Sequence, residues 1–488
     1  MTDGSRNKIY MTVKLSSHQV ALGITASILA TCGTQGAESI ANANPPPTAG
    51  ALAKTTDTSA SGSWQKPAWL TDVSIGVKES YDDNVLEVSG NGLKPQSTWI
   101  TSVSPKIGFN FAPLLGNQAT LQTLSLTYAP DFFIYHDASA ESYDAHRVNG
   151  TIRAKSDNVT FAFDNAFLYN DGSTTSPLYA LNQLSGSLAN QNDKFRNFFG
   201  QGTVRERRHQ IQDRATTSLQ YKWKNIFVRP TAALLYYNLD TDWHNTSAAP
   251  YKGYQNWPNR NDVNGGLDLG YYLTPKLAMT LGYRYGSQYQ QRLPLTIDAD
   301  NHFSSSDYQR VLLGLEGNPW KWLNVKMAGG PDFRNYNSFA PVNDFHPVKY
   351  YGEAVMTATV TANQTLTFNY KQWQWVSATG KVPYFDSLFA LTYHWNATKQ
   401  LGVDLGGRIQ EADFTSGNET TGSASSRRDD RQYTLSAGVS YAFTPHFSAN
   451  LSYAYDLGEN ILNLPANLEP EYRNFNRNLV SVGLGYKF

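Results

Sequence analysis

The chain has 488 residues, with 40 basic and 40 acidic side chains and no formal net charge, so no charge bias steers it towards nucleic acid. No basic stripe with interleaved aromatics runs along it either. Mean hydropathy is −0.46, yet 13% of the residues are aromatic, with 30 Tyr and 11 Trp, a combination that suits strands apolar on one face only.

The length allows roughly two to four soluble domains or one large barrel. The single cysteine, Cys32, excludes a disulfide framework and a cysteine metal site. It falls within the first predicted segment. Lys14 and His18 precede the apolar run VALGITASILA (20–30), and Ala41-Asn42-Ala43 provides an A-x-A site. Residues 1–43 are therefore predicted to be a secretory signal peptide, with Met11 an alternative start and Ala37 an alternative cleavage point. The run is too short to cross a bilayer as a helix. LATC (29–32) offers a lipoprotein anchor as a rival reading, but Thr31 stands where a small Gly, Ala or Ser is usual. Residues 44–68 are rich in Pro, Ser, Thr, Ala and Gly, the composition of a periplasmic linker with nothing to bury.

From 69 to 488 one unit recurs: a strand of alternating polarity, a connection, and a strand alternating back. In KLAMTLGYRYGSQYQQ (276–291), Leu277, Met279, Leu281, Tyr283, Tyr285 and Tyr289 share one face, and Thr280, Gly282, Arg284 and Gln288 share the other. QLGVDLGGRIQ (400–410) and HFSANLSYAYD (446–456) repeat the pattern, and no stretch keeps a helical period. Eighteen strands are predicted, at 69–81, 98–112, 119–136, 142–155, 158–170, 203–222, 226–240, 262–273, 276–291, 306–317, 322–336, 348–361, 364–377, 384–395, 399–413, 428–443, 446–457 and 474–488. Merging one hairpin gives sixteen.

Connections after even-numbered strands are short (APLLGNQ, SDN, KWKN, TPK, NPWKW, TANQ, NAT, TPH), whereas most after odd-numbered strands are long and polar. A soluble sandwich has no reason to sort connection length by parity. A transmembrane antiparallel up-and-down β-barrel does, with short periplasmic turns and longer external loops. The short-turn end also carries Trp223, Tyr271, Tyr272, Trp320, Trp322, Trp395, Phe443 and Phe488, the residue types of an interfacial girdle. The predicted fold is thus an all-β barrel of the bacterial outer membrane with outer-membrane lipid around it.

A barrel of this size leaves an aqueous lumen. Alternation points Arg284, Asp404, Arg408 and Asp456 into it, and GTVRERRHQIQDR (202–214) sets Arg205, Arg207, Arg208 and Arg214 near its mouth, diluted by Glu206 and Asp213. For each such charge the plain alternative is a solvated wall residue or a structural ion pair. The connection 171–202 contains LYALNQLSGSLANQ (178–191), which suits a short helix folded inward as a constriction, a lid, or a surface loop. Asp82 and Asp83 offer carboxylates to a Ca²⁺ ion, against the simpler reading of a strand-ending turn. His136, beside Asp137 and with His146 nearby in sequence, is the one candidate catalytic pair; no H-E-x-x-H or G-x-S-x-G motif occurs. No enzyme activity, cofactor, metal site or nucleic-acid partner is expected.

VSIGVKESYDDNVLEVSG (73–90), WITSVSPKIGFNF (99–111) and TPKLAMTLGYRY (274–285) resemble the outer-membrane β-barrel porin families that open with a strand running into Tyr-Asp-Asp-Asn, here Tyr81 to Asn84. Some members accompany exopolysaccharide export. Val480, Val482, Leu484, Tyr486 and Phe488 resemble the C-terminal signal read by the outer-membrane assembly machinery. The resemblance implies a porin-like channel for passive diffusion of small hydrophilic solutes. The alternatives are an accessory of polysaccharide export and a plugged structural or adhesion barrel. Oligomeric state, homo-oligomer included, is left open.

Overall fold

The computed structural model describes residues 66–85, 95–116, 119–139, 142–170, 210–239, 259–292, 304–337, 348–375, 383–414, 428–462 and 475–488. The predicted signal peptide, most of the linker, the connection 171–202 and Arg205, Arg207 and Arg208 lie outside these residues.

Eighteen strands form one sheet: β1 (Leu70–Asp82), β2 (Thr98–Asn110), β3 (Leu121–Tyr135), β4 (Tyr143–Lys155), β5 (Val159–Asn170), β6 (Gln210–Trp223), β7 (Ile226–Leu239), β8 (Arg260–Thr274), β9 (Leu277–Gln290), β10 (Ser306–Trp320), β11 (Leu323–Tyr336), β12 (Val348–Thr361), β13 (Gln364–Trp375), β14 (Tyr384–Asn396), β15 (Leu401–Phe414), β16 (Arg428–Ala442), β17 (Phe447–Leu462) and β18 (Phe475–Lys487). Each pairs antiparallel with the next, and β18 pairs with β1 from Ser74↔Lys487 to Asp82↔Leu479. The sheet is therefore a closed up-and-down barrel with no free edge, so the ladder satisfies its backbone polar groups all the way round. The backbone N–H of Phe488 donates to the carbonyl of Val73 at 2.9 Å, one residue beyond the ladder. Among the described residues the one helical element is a 3₁₀ turn, Ala112–Leu115, after β2.

Side-chain direction follows the pleat. Along β9 burial alternates residue by residue: Met279, Leu281, Tyr283 and Tyr285 are exposed on the outside, while Ala278, Thr280, Gly282 and Arg284 are buried inside. The exposed large apolar residues of the other strands continue this outer band, including Leu267 and Leu269 on β8, Leu313 on β10, Leu391 on β14, Leu405 on β15 and Leu451 on β17. A surface so apolar, around a wall so polar, is the inverse of a soluble protein. The stripe Val480, Val482, Leu484, Tyr486 and Phe488 lies entirely on the outer face.

Parity of the connections holds except after β2, where 111–120 is longer than the connections after β3, 136–142, and β13, 376–383. Those after even strands shrink to Lys224–Asn225, 275–276, 321–322 and 362–363, whereas those after odd strands reach 171–209 and 240–259. Lys224 adopts φ 52° in its two-residue turn, the left-handed conformation such a tight hairpin demands. Three expectations need correction. β10 does not stop at 317 but runs to Trp320, because a bulge at Gly317, with φ 121°, carries the chain on into the turn. β2 ends at Asn110 rather than 112, because the 3₁₀ turn Ala112–Leu115 takes over, with Pro113 in its first positions. Tyr272 does not belong to the outer girdle. Consecutive residues face opposite sides, so Tyr271 is half exposed outside while Tyr272 turns inward, opposite Ala278 and 5.4 Å from the Phe227 ring. Trp223, Trp320, Trp322, Trp395, Phe443 and Phe488 are exposed outside, Trp320 and Trp322 stacked at 5.6 Å.

A strand such as β1, with 13 residues, is about 43 Å long and, tilted by about 40°, about 33 Å tall. That exceeds an apolar band of about 25 Å. Strand ends beyond the band can carry polar groups outward, which accounts for the ion pair of Arg431 with Glu411 on the outer face of β16 and β15 at 2.9 Å.

Candidate functional site

The inward positions build the candidate site, the barrel lumen. Its wall between β7 and β11 is a continuous polar network. On β7, Arg229 grips Glu316 of β10 through two parallel N–H···O bonds of 2.9 Å and donates Nε to Asp268 of β8 at 3.0 Å. Arg284 of β9 meets the other oxygen of Asp268 at 2.7 Å. These groups line a small cavity with Lys326 and Glu353. Nearer the long-connection end, Asp332 of β11 accepts from Arg310 and Arg334, both at 2.8 Å, and Arg334 also donates to Gln288 at 2.8 Å. Gln288 in turn donates to Asp262 at 2.7 Å, and Asp262 accepts the Tyr308 hydroxyl at 2.7 Å. The Arg310 guanidinium lies between the rings of Tyr308 and Tyr351, at 4.1 and 4.2 Å. Charges taken out of water this completely persist because each finds counter-charge, hydrogen bonds or an aromatic face.

The second feature crosses the lumen. Arg260, at the long-connection end of β8, has its guanidinium 4.6 Å from the Tyr237 ring of β7 and 5.5 Å from the Trp375 ring of β13. The Tyr384 hydroxyl of β14 lies within its hydrogen-bonding reach. All four side chains are almost fully buried. Leu235 of β7 packs against a lumenal cluster of Leu312, Tyr351, Trp373, Trp375, Tyr384 and Ala412. The Gln374 carbonyl of β13 accepts from Gln288 of β9 at 2.9 Å. β8 and β14 are six strands apart round the eighteen-strand sheet, so these contacts tie together stretches of wall that are not neighbours. The lumen narrows here into a constriction made by strand residues themselves.

The third feature closes the seam. Asp82, the last residue of β1, accepts Nε of Arg477 on β18 at 2.9 Å, and its other oxygen accepts Nη2. Both side chains are buried. Asp83 takes the backbone N–H of Asn478 at 2.6 Å and its side-chain amide at 2.7 Å, while the Asn84 amide donates to the Asn476 carbonyl at 2.8 Å. The Tyr-Asp-Asp-Asn run is thus a latch between first and last strands. Its carboxylates are committed to β18 rather than presented to a cation, and among the described residues no group of three metal-ligating side chains forms.

The residues singled out from sequence fall as follows. Arg284 faces the lumen in its pair with Asp268. Asp404 pairs with His394 on the neighbouring strand, at 2.7 Å. Arg408 donates to Gln432 at 3.1 Å. Asp456 accepts the Thr434 hydroxyl at 2.6 Å and lies opposite Arg477 in register. These four are wall residues with structural partners. His136 and His146 point outward instead. His136 Nε2 meets the Thr101 hydroxyl at 2.9 Å and Glu79 at 3.5 Å. His146 is held by Asp144 at 2.5 Å and the Tyr128 hydroxyl at 2.8 Å. Each imidazole is engaged with its own neighbours on the outer face, at a distance from the lumen network.

Sequence reading missed Arg229, Arg260, Arg310, Asp332 and Arg334. Their one available signal was inward parity along strands already recognised. What makes them a site is the partner, which lies on another strand.

No family model matches the chain, and no curated protein matches it in sequence. Solved structures do. The siderophore receptor PirA from Acinetobacter baumannii is 8% identical, with 86% of this chain and 81% of that chain covered and a TM-score of 0.38. OccAB2 from the same organism is 11% identical, with 86% and 98% covered and a TM-score of 0.38. The ferric citrate transporter FecA in its unliganded form is 10% identical, with 86% and 79% covered and a TM-score of 0.35.

Proposed function

We propose that the protein is an outer-membrane channel through which small hydrophilic solutes diffuse passively. The observation that carries this reading is the division of one closed eighteen-strand cylinder into an apolar outer face and a charged, hydrogen-bonding inner face. Lipid suits the first, and water and polar solute suit the second. In this reading residues 1–43 direct export, 44–68 link in the periplasm, and the outward stripe from Val480 to Phe488 serves the assembly machinery. The cross-wall contacts of Arg260 favour small solutes over a polymer, since a polysaccharide chain needs a lumen open along its whole length.

Proteoliposomes loaded with dextran and placed in isotonic sugar test this directly. A pentose or hexose should swell them, and a trisaccharide should enter several-fold more slowly. Equal swelling with all sugars would remove the constriction from the account. Absence of swelling from protein shown to be folded would remove diffusion.

A further inference from the structure

Charge is one-sided at the short-turn rim. Lys224, Lys276, Lys321 and Lys399 sit in the connections after β6, β8, β10 and β14, and Lys155, Lys222 and Lys487 lie in the last two positions of their strands at the same rim. All seven are exposed, and none forms an ion pair or a side-chain hydrogen bond with a described residue. Asp157, after β4, is the one carboxylate in the described short connections. The opposite rim mixes the signs, with Asp82 held by Arg477 and Glu411 by Arg431.

The turn lysines are interleaved with the outer aromatic girdle. Lys224 follows Trp223 and sets its ammonium 5.1 Å from that ring. Lys321 stands between Trp320 and Trp322, whose rings stack, and Lys399 follows shortly after Trp395. These rings are exposed on the outside, and exposed tryptophan marks the depth at which hydrocarbon gives way to head groups. A lysine there lays its stem along apolar surface and holds its ammonium among head-group phosphates. The four turns extend from β6 to β15, so they spread charge along an arc of the rim. A zwitterionic head group offers such an arc no net charge. An anionic one does, and the attraction grows lysine by lysine.

We propose that Lys224, Lys276, Lys321 and Lys399 form a docking arc for anionic phospholipid head groups, selecting them over zwitterionic ones in the leaflet at the short-turn rim. Position sets the occupant: the arc continues a girdle that faces lipid, so the nearest phosphates are those of the bilayer. The arc depends on the barrel being in a membrane and not on conduction, so it holds whether or not the lumen is open.

The test is quenching of tryptophan fluorescence in the full protein, refolded into vesicles of brominated phosphatidylglycerol, brominated phosphatidylcholine and defined mixtures of the two. Trp223, Trp320, Trp322 and Trp395 stand beside the arc and report on the lipid there. Wild type should favour phosphatidylglycerol by about twofold or more at low salt, and the ratio should fall towards unity in about 0.5 M NaCl. K224Q/K276Q/K321Q/K399Q should give a ratio near unity at either salt concentration, whereas K224R/K276R/K321R/K399R should keep the preference. K106Q, at a lysine paired with Asp72, should leave the ratio unchanged. Circular dichroism and heat modifiability confirm that each variant is folded before quenching is read. Equal association of wild type with both lipids overturns the proposal and leaves the arc to an acidic protein or an anionic solute. A preference that survives the four glutamine changes overturns it as well, because the selecting charge then lies elsewhere.

Discussion

Asp82→Ala is expected to destabilise the barrel by about 3–5 kcal/mol, the usual loss when one partner of a buried ion pair is removed. The pair is buried on both sides, and the substitution strands Arg477 at the long-connection end of the seam. It also removes the acceptor for the Asn84 backbone N–H, at 3.0 Å. The β1–β18 pairing is the one strand ladder in the cylinder made between strands that are not consecutive in sequence, with Asp82 and Arg477 separated by 395 positions. No direct chain connection joins these two strands, as one joins each other neighbouring pair. The loss should therefore appear as a lower urea midpoint and a lower temperature for the shift from compact to extended migration on electrophoresis. Asp72→Ala, at a part-exposed pair with Lys106, should have little effect because solvent-exposed pairs contribute weakly. An unchanged midpoint in Asp82→Ala would mean the latch does not hold the seam.

Truncation at the constriction should act on conductance. Trp375→Ala and Tyr384→Ala each remove a ring that, with Tyr237, surrounds the Arg260 side chain. The walls at β7–β8 and β13–β14 then lose their cross-lumen contact, and single-channel conductance should rise on the order of twofold, more in the double variant. Removing a buried aromatic also costs about 3–5 kcal/mol, so folding is checked first by circular dichroism and heat modifiability. Trp320→Ala, on the outer face, should leave conductance unchanged. If the double variant conducts like the wild type, the barrier lies elsewhere along the lumen.

The barrel itself was legible in the residues. Period-2 alternation is a local signal, and with 13 to 16 residues per strand in β1, β10 and β17 it repeats often enough to survive a misplaced end. Connection parity then separated the two rims without any three-dimensional information. Errors arose where a single residue changes the count. Gly317 shifted the register of β10 through a bulge, and Tyr272 was grouped with Tyr271 although adjacent residues must point apart.

The site was legible only in half. Inward parity identified Arg284 and Asp404 as wall residues, but not their roles, because these depend on partners set by inter-strand register: Asp268 for the first and His394 for the second. The constriction was beyond reach for a stronger reason. Arg260 and Trp375 meet across the lumen, and nothing in a strand's own pattern tells which distant strand faces it. The Tyr-Asp-Asp-Asn run shows the same limit. It reads as a turn with spare carboxylates until β18 is placed beside it.

The central claim is that this cylinder encloses a water-filled path across a bilayer, and single-channel recording of the folded protein at two salt concentrations tests it most directly. The account predicts stable current steps whose size scales with bulk conductivity and remains below that of an unobstructed eighteen-strand barrel. Silence from protein that is folded and inserted would contradict it, and would make the lumen a sealed structural core.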